Sequence, residues 1–413
     1  MIKSLKAVNL NRHMTFNLRF NEDINIVTGK NGTGKTTVLK LLWYAISGNL
    51  ERILPEMSFD SFELETDTCL VGMAIEAKQK RRMVKLKYRI DSIEKELERP
   101  IERCVEWDEL QYANRQISRA TGSSIFFPTF RRIEGGFSIS TRMDDESLRF
   151  VGGRTNRRGE IYFTGENPGL QQAVNQLSDR LSVAMHRFVA TISTDDIIRL
   201  LTSKYAEISE KTNRLHMDLS RFILERVGGS AEAEAGYSVT VGSNEPREAL
   251  DDIRQRARNV TQQSEALLRP FTVLSDLIAR VFQYRGIRLA DPVTLGEARE
   301  AIASDVLSAG EKQMLSFLCY NAFASNSCIF IDEPEISLHV DWQRLLFPVL
   351  LQQSTGNQFI VATHSPFIYS KYSDKELMLS LDRGDSDADA KNDGSRDYQL
   401  SAEDESANAS GGG

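Results

Sequence analysis

Apolar and polar positions over the first fifty residues predict two short strands and then a longer helix. Ser4 to Asn9 reads as one strand, and Phe16-Asn17-Leu18-Arg19-Phe20 alternates as a half-buried strand does. Ile24-Asn25-Ile26-Val27 runs into a glycine-rich turn. Beyond it, Val38, Leu39, Leu41, Leu42, Ala45 and Ile46 make one helical face that stops at Gly48. Residues 60–90 predict further strands, ending in the basic run Lys78–Arg89, and residues 141–166 are polar and predict a loop. Helical periodicity covers residues 169–227 and 246–282, with Leu177, Leu181, Ala184, Met185 and Phe188 on one face. Pro270 is expected to start or kink a helix. These helices read as too short and too poorly heptad-patterned for a long coiled-coil arm. After Asp382 the chain turns to Asp, Ser, Asn, Ala and Gly, and disorder is expected. The organisation predicted is an α/β head of residues 1–160 and 285–381, a helical insertion of residues 165–284, and an acidic tail of residues 382–413.

Composition changes this picture little. The 413 residues are 41% apolar and 26% charged, an ordinary globular mix, and no apolar run reaches membrane-spanning length. Most of the net charge of −7 belongs to the tail, where Asp382 to Glu405 holds nine acidic and three basic residues. The near-neutral body gives no global push towards nucleic acid, so any such binding must come from local patches. Four scattered cysteines (Cys69, Cys104, Cys319, Cys328), no CxxC and no signal peptide point to a reduced, cytoplasmic protein without a zinc site.

Gly29-Lys30-Asn31-Gly32-Thr33-Gly34-Lys35-Thr36 is a full GxxxxGK[ST] between a strand and a helix. Such glycines let backbone N–H groups converge on phosphate oxygens, and the helix N-terminus adds positive potential. Gly29, Asn31, Gly32, Gly34, Lys35, Thr36 and Thr37 are therefore candidate nucleotide contacts. Lys35 would reach the β- and γ-phosphates, and Thr36 would offer its hydroxyl to Mg²⁺. The apolar strand Cys328–Ile331 ends in Asp332-Glu333, a Walker B arrangement. There Asp332 would support Mg²⁺ and Glu333 would act as base or orient the attacking water.

The run Leu307-Ser308-Ala309-Gly310-Glu311-Lys312-Gln313 resembles the signature of ABC and SMC ATPases. The resemblance implies that Ser308 and Gly310 meet the γ-phosphate of ATP bound to a second subunit. By its own chemistry the run reads as an anion site or, equally, as a helix N-cap with acidic first-turn support. Phe359–Thr363 is an apolar strand followed by His364, and the resemblance makes His364 the switch histidine on the γ-phosphate. The string Asp332-Glu333-Pro334-Glu335…Leu338-His339…Trp342-Gln343 is similar to OLD-type and RecF-like AAA ATPases. These include the ATPase subunits of anti-phage systems such as Septu and PARIS. Phe127–Glu134 also looks like a segment of that group.

An ABC-type head split by a helical insertion follows from this resemblance. It implies a homodimer or higher homo-oligomer sandwiching ATP and Mg²⁺, and an anti-phage defence role controlling a separate effector. That effector is expected to be a nuclease from another chain, since about fifty residues follow His364 and no HNH pattern is present. Asp385-Ser386-Asp387-Ala388-Asp389 reads as a solvated charge run. The alternative is a RecF/SMC-like repair ATPase clamping DNA, in which Lys80, Arg81, Arg82 and Lys85 would take phosphates; the same run also reads as a strand with a solvated cationic face. Arg131 and Arg132 read either as nucleotide contacts or as surface arginines. Two features depart from the transporter pattern: no Q-loop glutamine stands out beyond Gln79, and 273 residues separate Lys35 from Ser308.

Overall fold

The computed structural model describes residues 1–78, 81–101, 108–129, 132–133, 154–155, 161–162, 176–228, 245–281 and 307–379. It is an α/β protein with two six-stranded sheets. The first is antiparallel and contains β1 (Ile2–Leu10), β2 (Met14–Arg19), β4 (Ser61–Thr66), β5 (Cys69–Lys78), β6 (Arg81–Ile90) and β7 (Ile93–Pro100), in the order β2-β1-β4-β5-β6-β7. The second is wholly parallel. Its strands are β3 (Ile24–Thr28), β8 (Ser124–Phe127), β9 (His186–Phe188), β10 (Cys328–Asp332), β11 (Gln358–Ala362) and β12 (Glu376–Met378), in the order β9-β8-β10-β11-β3-β12.

Helix α1 (Lys35–Ser47) lies between the two sheets, which is why it is apolar almost all round. Leu5, Phe62, Leu64 and Val71 of the antiparallel sheet share its core with Phe126, Phe330 and Ile360 of the parallel one. The alternate positions of the parallel strands, Ile26, Phe127, Ile331, Phe359 and Val361, face a second core with α5 (Ala309–Ala322) and α6 (Val340–Gln352). Both faces of the sheet are covered, so its strands read as continuous apolar runs rather than alternating ones. Helix α2 (Asp108–Ala120) buries Leu110, Ala113 and Ile117 against the first core.

Helices α3 (Thr194–Gly228) and α4 (Glu245–Val281) are 35 and 37 residues long. They pair as an antiparallel hairpin: Tyr205 meets Phe271 at 5.9 Å, Arg256 lies over the Phe222 ring, and Arg226 bridges to Asp252 at 2.6 Å. The base of the hairpin packs on the head through Ile197, Leu274, Leu277 and Ile278. Each helix spans roughly 50 Å at about 1.5 Å rise per residue, and α4 falls within one residue of the predicted 246–282 at each end. Pro270 neither starts nor ends α4, which runs through it.

Two other expectations change. Residues 177–188 do not form one helix: the helix stops near Leu181, and His186–Phe188 pairs with Ser124–Phe126 in the parallel sheet. The reason is tertiary, since Phe188 stacks on Phe126 and touches Trp43, contacts that a helical face could not make. Within the polar stretch 141–166, Arg154–Thr155 and Ile161–Tyr162 pair antiparallel. Gln79, Arg131, the side chain of Arg132 and the acidic tail lie outside the described residues.

Of the basic run, Lys78 ends β5, Arg81–Arg89 lies on β6, and Lys80 lies outside the described residues. Val84, Leu86 and Tyr88 of β6 are buried, while Lys85 pairs with Glu96 and Lys87 with Glu94 on β7, both at 2.8 Å. Among the described residues no helix is long and apolar enough to cross a membrane.

Candidate active site

In an open parallel sheet, loops at the carboxyl ends of adjacent strands converge. Here Val27 of β3 stands beside Ala362 of β11, Ala362 beside Asp332 of β10, and Ile331 beside Phe127 of β8. The chain leaves these neighbours as Gly29–Lys35, Thr363-His364, Glu333–Leu338 and Pro128-Thr129. Topology alone thus brings the glycine-rich turn, Asp332-Glu333 and His364 to one edge, although about 300 residues separate the first from the others.

The glycine-rich turn is held open by its backbone. Gly29, Gly32 and Gly34 have φ of 146°, 84° and 86°. Gly32 has nothing within 4 Å of where a Cβ would sit, whereas one on Gly34 would lie 2.5 Å from Met14 Cε. Helix α1 starts without a side-chain cap and with no acidic residue in its first turn, so its N-terminal N–H groups keep their positive potential for a ligand. Lys35 is 6% exposed, and its ammonium donates to the Gly29 and Lys30 carbonyls at 2.8 and 3.3 Å. Burial lowers its pKa, against the raising influence of Glu333, Asp332 and Glu335, so three carboxylates face this cation. Asn31 and Thr36 are exposed, and the Thr37 hydroxyl accepts from Asn11 at 3.1 Å.

Thr36 donates to Asp332 Oδ1 at 3.2 Å, joining the two ends of the metal-binding pair expected from sequence. The other oxygen, Oδ2, accepts from the Thr129 hydroxyl. Thr129 lies within the resembling segment Phe127–Glu134, where no motif marks it out. Its signal was positional, one strand over from Asp332 at the ligand end of the sheet. Glu333 has φ of 50°, a left-handed conformation that is costly for a residue with a side chain, and its N–H donates to the Ala362 carbonyl at 2.8 Å. Glu335 has both oxygens engaged: Thr363 Oγ1 donates at 2.8 Å and the His364 N–H at 2.7 Å. His364 is half-buried in this loop.

Ser308 is exposed and forms the N-cap of α5 in a capping box with Glu311. The Ser308 N–H and hydroxyl donate to Glu311 Oε2 at 2.7 and 2.6 Å. An incoming anion would therefore have to draw that hydroxyl away from a carboxylate. Gly310 packs against the Walker B loop so tightly that a Cβ would lie 2.3 Å from the Ser337 carbonyl oxygen. Among the described residues, no cluster of three or more His, Cys, Asp or Glu could hold a metal by itself.

Two family models cover the chain apart from residues 1–3, 135–165 and 371–413. Residues 4–134 match an AAA-domain family, and residues 166–370 match the AAA-domain family whose description names the AbiEii toxin of a Type IV TA system. The chain is a P-loop protein of the AAA class. The AAA part of the resemblance drawn from its motifs holds. A 63-residue stretch is 41% identical to part of the endonuclease GajA of Bacillus cereus (strain VD045), covering 14% of this chain and 11% of that protein. The crystal structure of an Smc head domain with an extended coiled coil, bound to the C-terminal domain of ScpA and derived from Pyrococcus furiosus, is 12% identical. It covers 93% of this chain and 94% of that one, with a TM-score of 0.36. An SmcHead bound to the C-winged helix domain of ScpA is 11% identical over 93% of this chain and 95% of that one, again at 0.36. At that score the likeness positions no residue.

Proposed function

We propose that this protein binds and hydrolyses ATP with Mg²⁺, and that two copies close head to tail around the nucleotides. The observation that carries the reading is Lys35. It is a buried cation at an uncapped helix start, facing Asp332, Glu333 and Glu335, with Thr36 bonded to Asp332. A polyanion with a divalent metal fits this cradle. One hydroxyl and one carboxylate are too few to cage a metal, and Mg²⁺ characteristically keeps waters and substrate phosphates as its remaining ligands.

Gly29, Asn31, Gly32, Gly34, Lys35 and Thr36 would hold the phosphates, and Thr36 with Asp332 would hold Mg²⁺. The bound metal would neutralise charge developing on the phosphates. Glu333 would take the proton of the attacking water, and His364 would steady the terminal phosphate. Ser308, exposed at a separate helix start, and the buried Gly310 behind it would complete the site of a second copy.

The helical hairpin is read as an insertion in this head. The cellular role proposed is the ATPase of an anti-phage defence system controlling a separate effector of nuclease type. The motif resemblance and the local identity to an endonuclease support that role. Of the residues that clamping of DNA would use, Lys85 is already paired with Glu96, Arg81 and Arg82 are exposed, and Lys80 lies outside the described residues.

The test is to measure ATP affinity, phosphate release and mass in solution for the wild type and two variants. Lys35→Ala should lose ATP binding. Glu333→Gln should bind ATP, hydrolyse it about 10²–10⁴-fold more slowly and accumulate as a dimer. Unchanged hydrolysis by Glu333→Gln would overturn the assignment of the base, and unchanged affinity in Lys35→Ala would overturn the site. Purification with proteins encoded nearby, with and without ATP, tests for an effector.

A further inference from the structure

The loop from Glu333 to Leu338 touches the start of α5 on one side and the His364 loop on the other. On the α5 side, Gln313 Nε2 donates to the Pro334 carbonyl at 2.9 Å, and Gly310 abuts the Ser337 carbonyl without room for a methyl group. On the histidine side, the Glu335 carboxylate spans Thr363 Oγ1 at 2.8 Å and the His364 N–H at 2.7 Å. Gln343, one turn into α6, adds a second tie. It donates to the Leu338 carbonyl at 2.9 Å and accepts from Ser365 Oγ at 2.5 Å. Both chain neighbours of His364 are thus pinned by the loop and the helix after it. An ionised acceptor taking two donors makes a stiffer tie than neutral pairs do. Thr363 and Ser365 are themselves buried, which removes competing water.

We propose that Glu335 is a positioning residue that couples the Ser308–Gly310 end of α5 to His364. Displacement at the helix start moves the Ser337 and Pro334 carbonyls, and Glu335 carries that movement to the histidine backbone. Close-packed elements shift as units rather than deform, so a small displacement at one end is transmitted. Gln313 Oε1 is buried and meets no donor among the described residues, so a shift that supplied one would be favoured. The inference rests on the ATPase reading for its purpose: a second copy engaging Ser308 would set His364 without touching it. Hydrolysis would then be licensed by dimer closure rather than by ATP binding alone.

The experiment uses the full chain with labelled histidine rings, and His364→Asn identifies the His364 resonance among the five histidines. Glu335→Ala should shift and broaden that resonance and lower kcat on the order of 10²-fold, with ATP affinity within a few-fold of wild type. Glu335→Gln should recover most of kcat, because its amide oxygen can accept the His364 N–H and its amide nitrogen can donate to Thr363. Gln313→Leu and Gly310→Ala should each move the His364 resonance, and should cease to do so in the Glu335→Ala background.

A His364 resonance unmoved by Glu335→Ala would overturn the positioning role. One unmoved by both α5 variants would overturn the coupling. Glu335→Gln as inactive as Glu335→Ala would make the residue a base instead. A wild type that binds no ATP would sink the proposed function alone, since the resonance still decides whether Glu335 positions His364.

Discussion

The hydroxyl of Thr129 donates to Oδ2 of Asp332, the carboxylate whose Oδ1 accepts from Thr36. Asp332 is 1% exposed, so both hydroxyls help to keep a desolvated anion in one orientation. A hydrogen bond to a charged group contributes about 1.5–3 kcal/mol, roughly ten- to a hundredfold in an equilibrium.

Thr129→Val should therefore leave ATP affinity without metal unchanged and raise the Mg²⁺ concentration needed for half-maximal turnover by roughly tenfold. Thr129→Ser, which keeps the hydroxyl, should behave as wild type. A Mg²⁺ titration of phosphate release checks this, and equal curves for Val and Thr would remove Thr129 from the site.

Ser308→Arg should bind ATP as the monomer does but fail to turn it over, because Ser308 is exposed on a helix start separate from the glycine-rich turn. Mixing it with Lys35→Ala should restore hydrolysis that neither variant shows alone, through one intact composite site per heterodimer. With heterodimers verified by differential tagging, absence of rescue at every ratio would refute the head-to-tail arrangement.

Gly48 ends α1 with φ of 69°, and a Cβ there would lie 2.3 Å from the backbone oxygen of Asn114 on α2. Gly48→Ala should cost on the order of 1–3 kcal/mol for the backbone conformation alone, and more for the overlap. Denaturant unfolding should report the loss.

His186 is fully buried, with Nδ1 2.8 Å from Ser124 Oγ and Nε2 2.9 Å from the Ser118 carbonyl. Burial lowers its pKa, against the raising influence of the Ser118 bond. Above about pH 6.5 the ring is neutral in both the folded and unfolded chains and costs nothing. As the pH falls below that value, the unfolded chain takes up a proton that the folded one refuses, so stability should decline until the folded pKa is reached. His186→Gln should flatten this part of a melting-temperature profile. The carboxyls of Asp23 and Asp67 are also held below their ordinary range, Asp23 by Lys375 against the effect of burial and Asp67 by the N-terminal amine. Their stabilisation is present at neutral pH and fades only at lower pH, in a separate window.

The chemistry-bearing motifs were legible in the sequence because each is local. A glycine-rich turn must lie between strand and helix to present its N–H groups, and a carboxylate pair must end an apolar strand. The strands of the head and the apolar face of α1 were legible for the same reason, since burial on a sheet or helix leaves a period that neighbours in the chain can show. Tertiary structure decided what depends on pairing across long separations. His186–Phe188 has a helix-like spacing, yet it is a strand because Phe188 stacks on Phe126 and the sheet edge offers backbone partners. The two long helices stand as a hairpin because each covers the other, which no single helix reveals. Thr129 reaches Asp332 and the His364 N–H reaches Glu335 only because β8, β10 and β11 lie side by side, across separations of 203 and 29 residues. A threonine after a strand, or a second glutamate after a proline, has no periodicity to betray it, because a hydrogen bond depends on distance in space rather than on position along the chain.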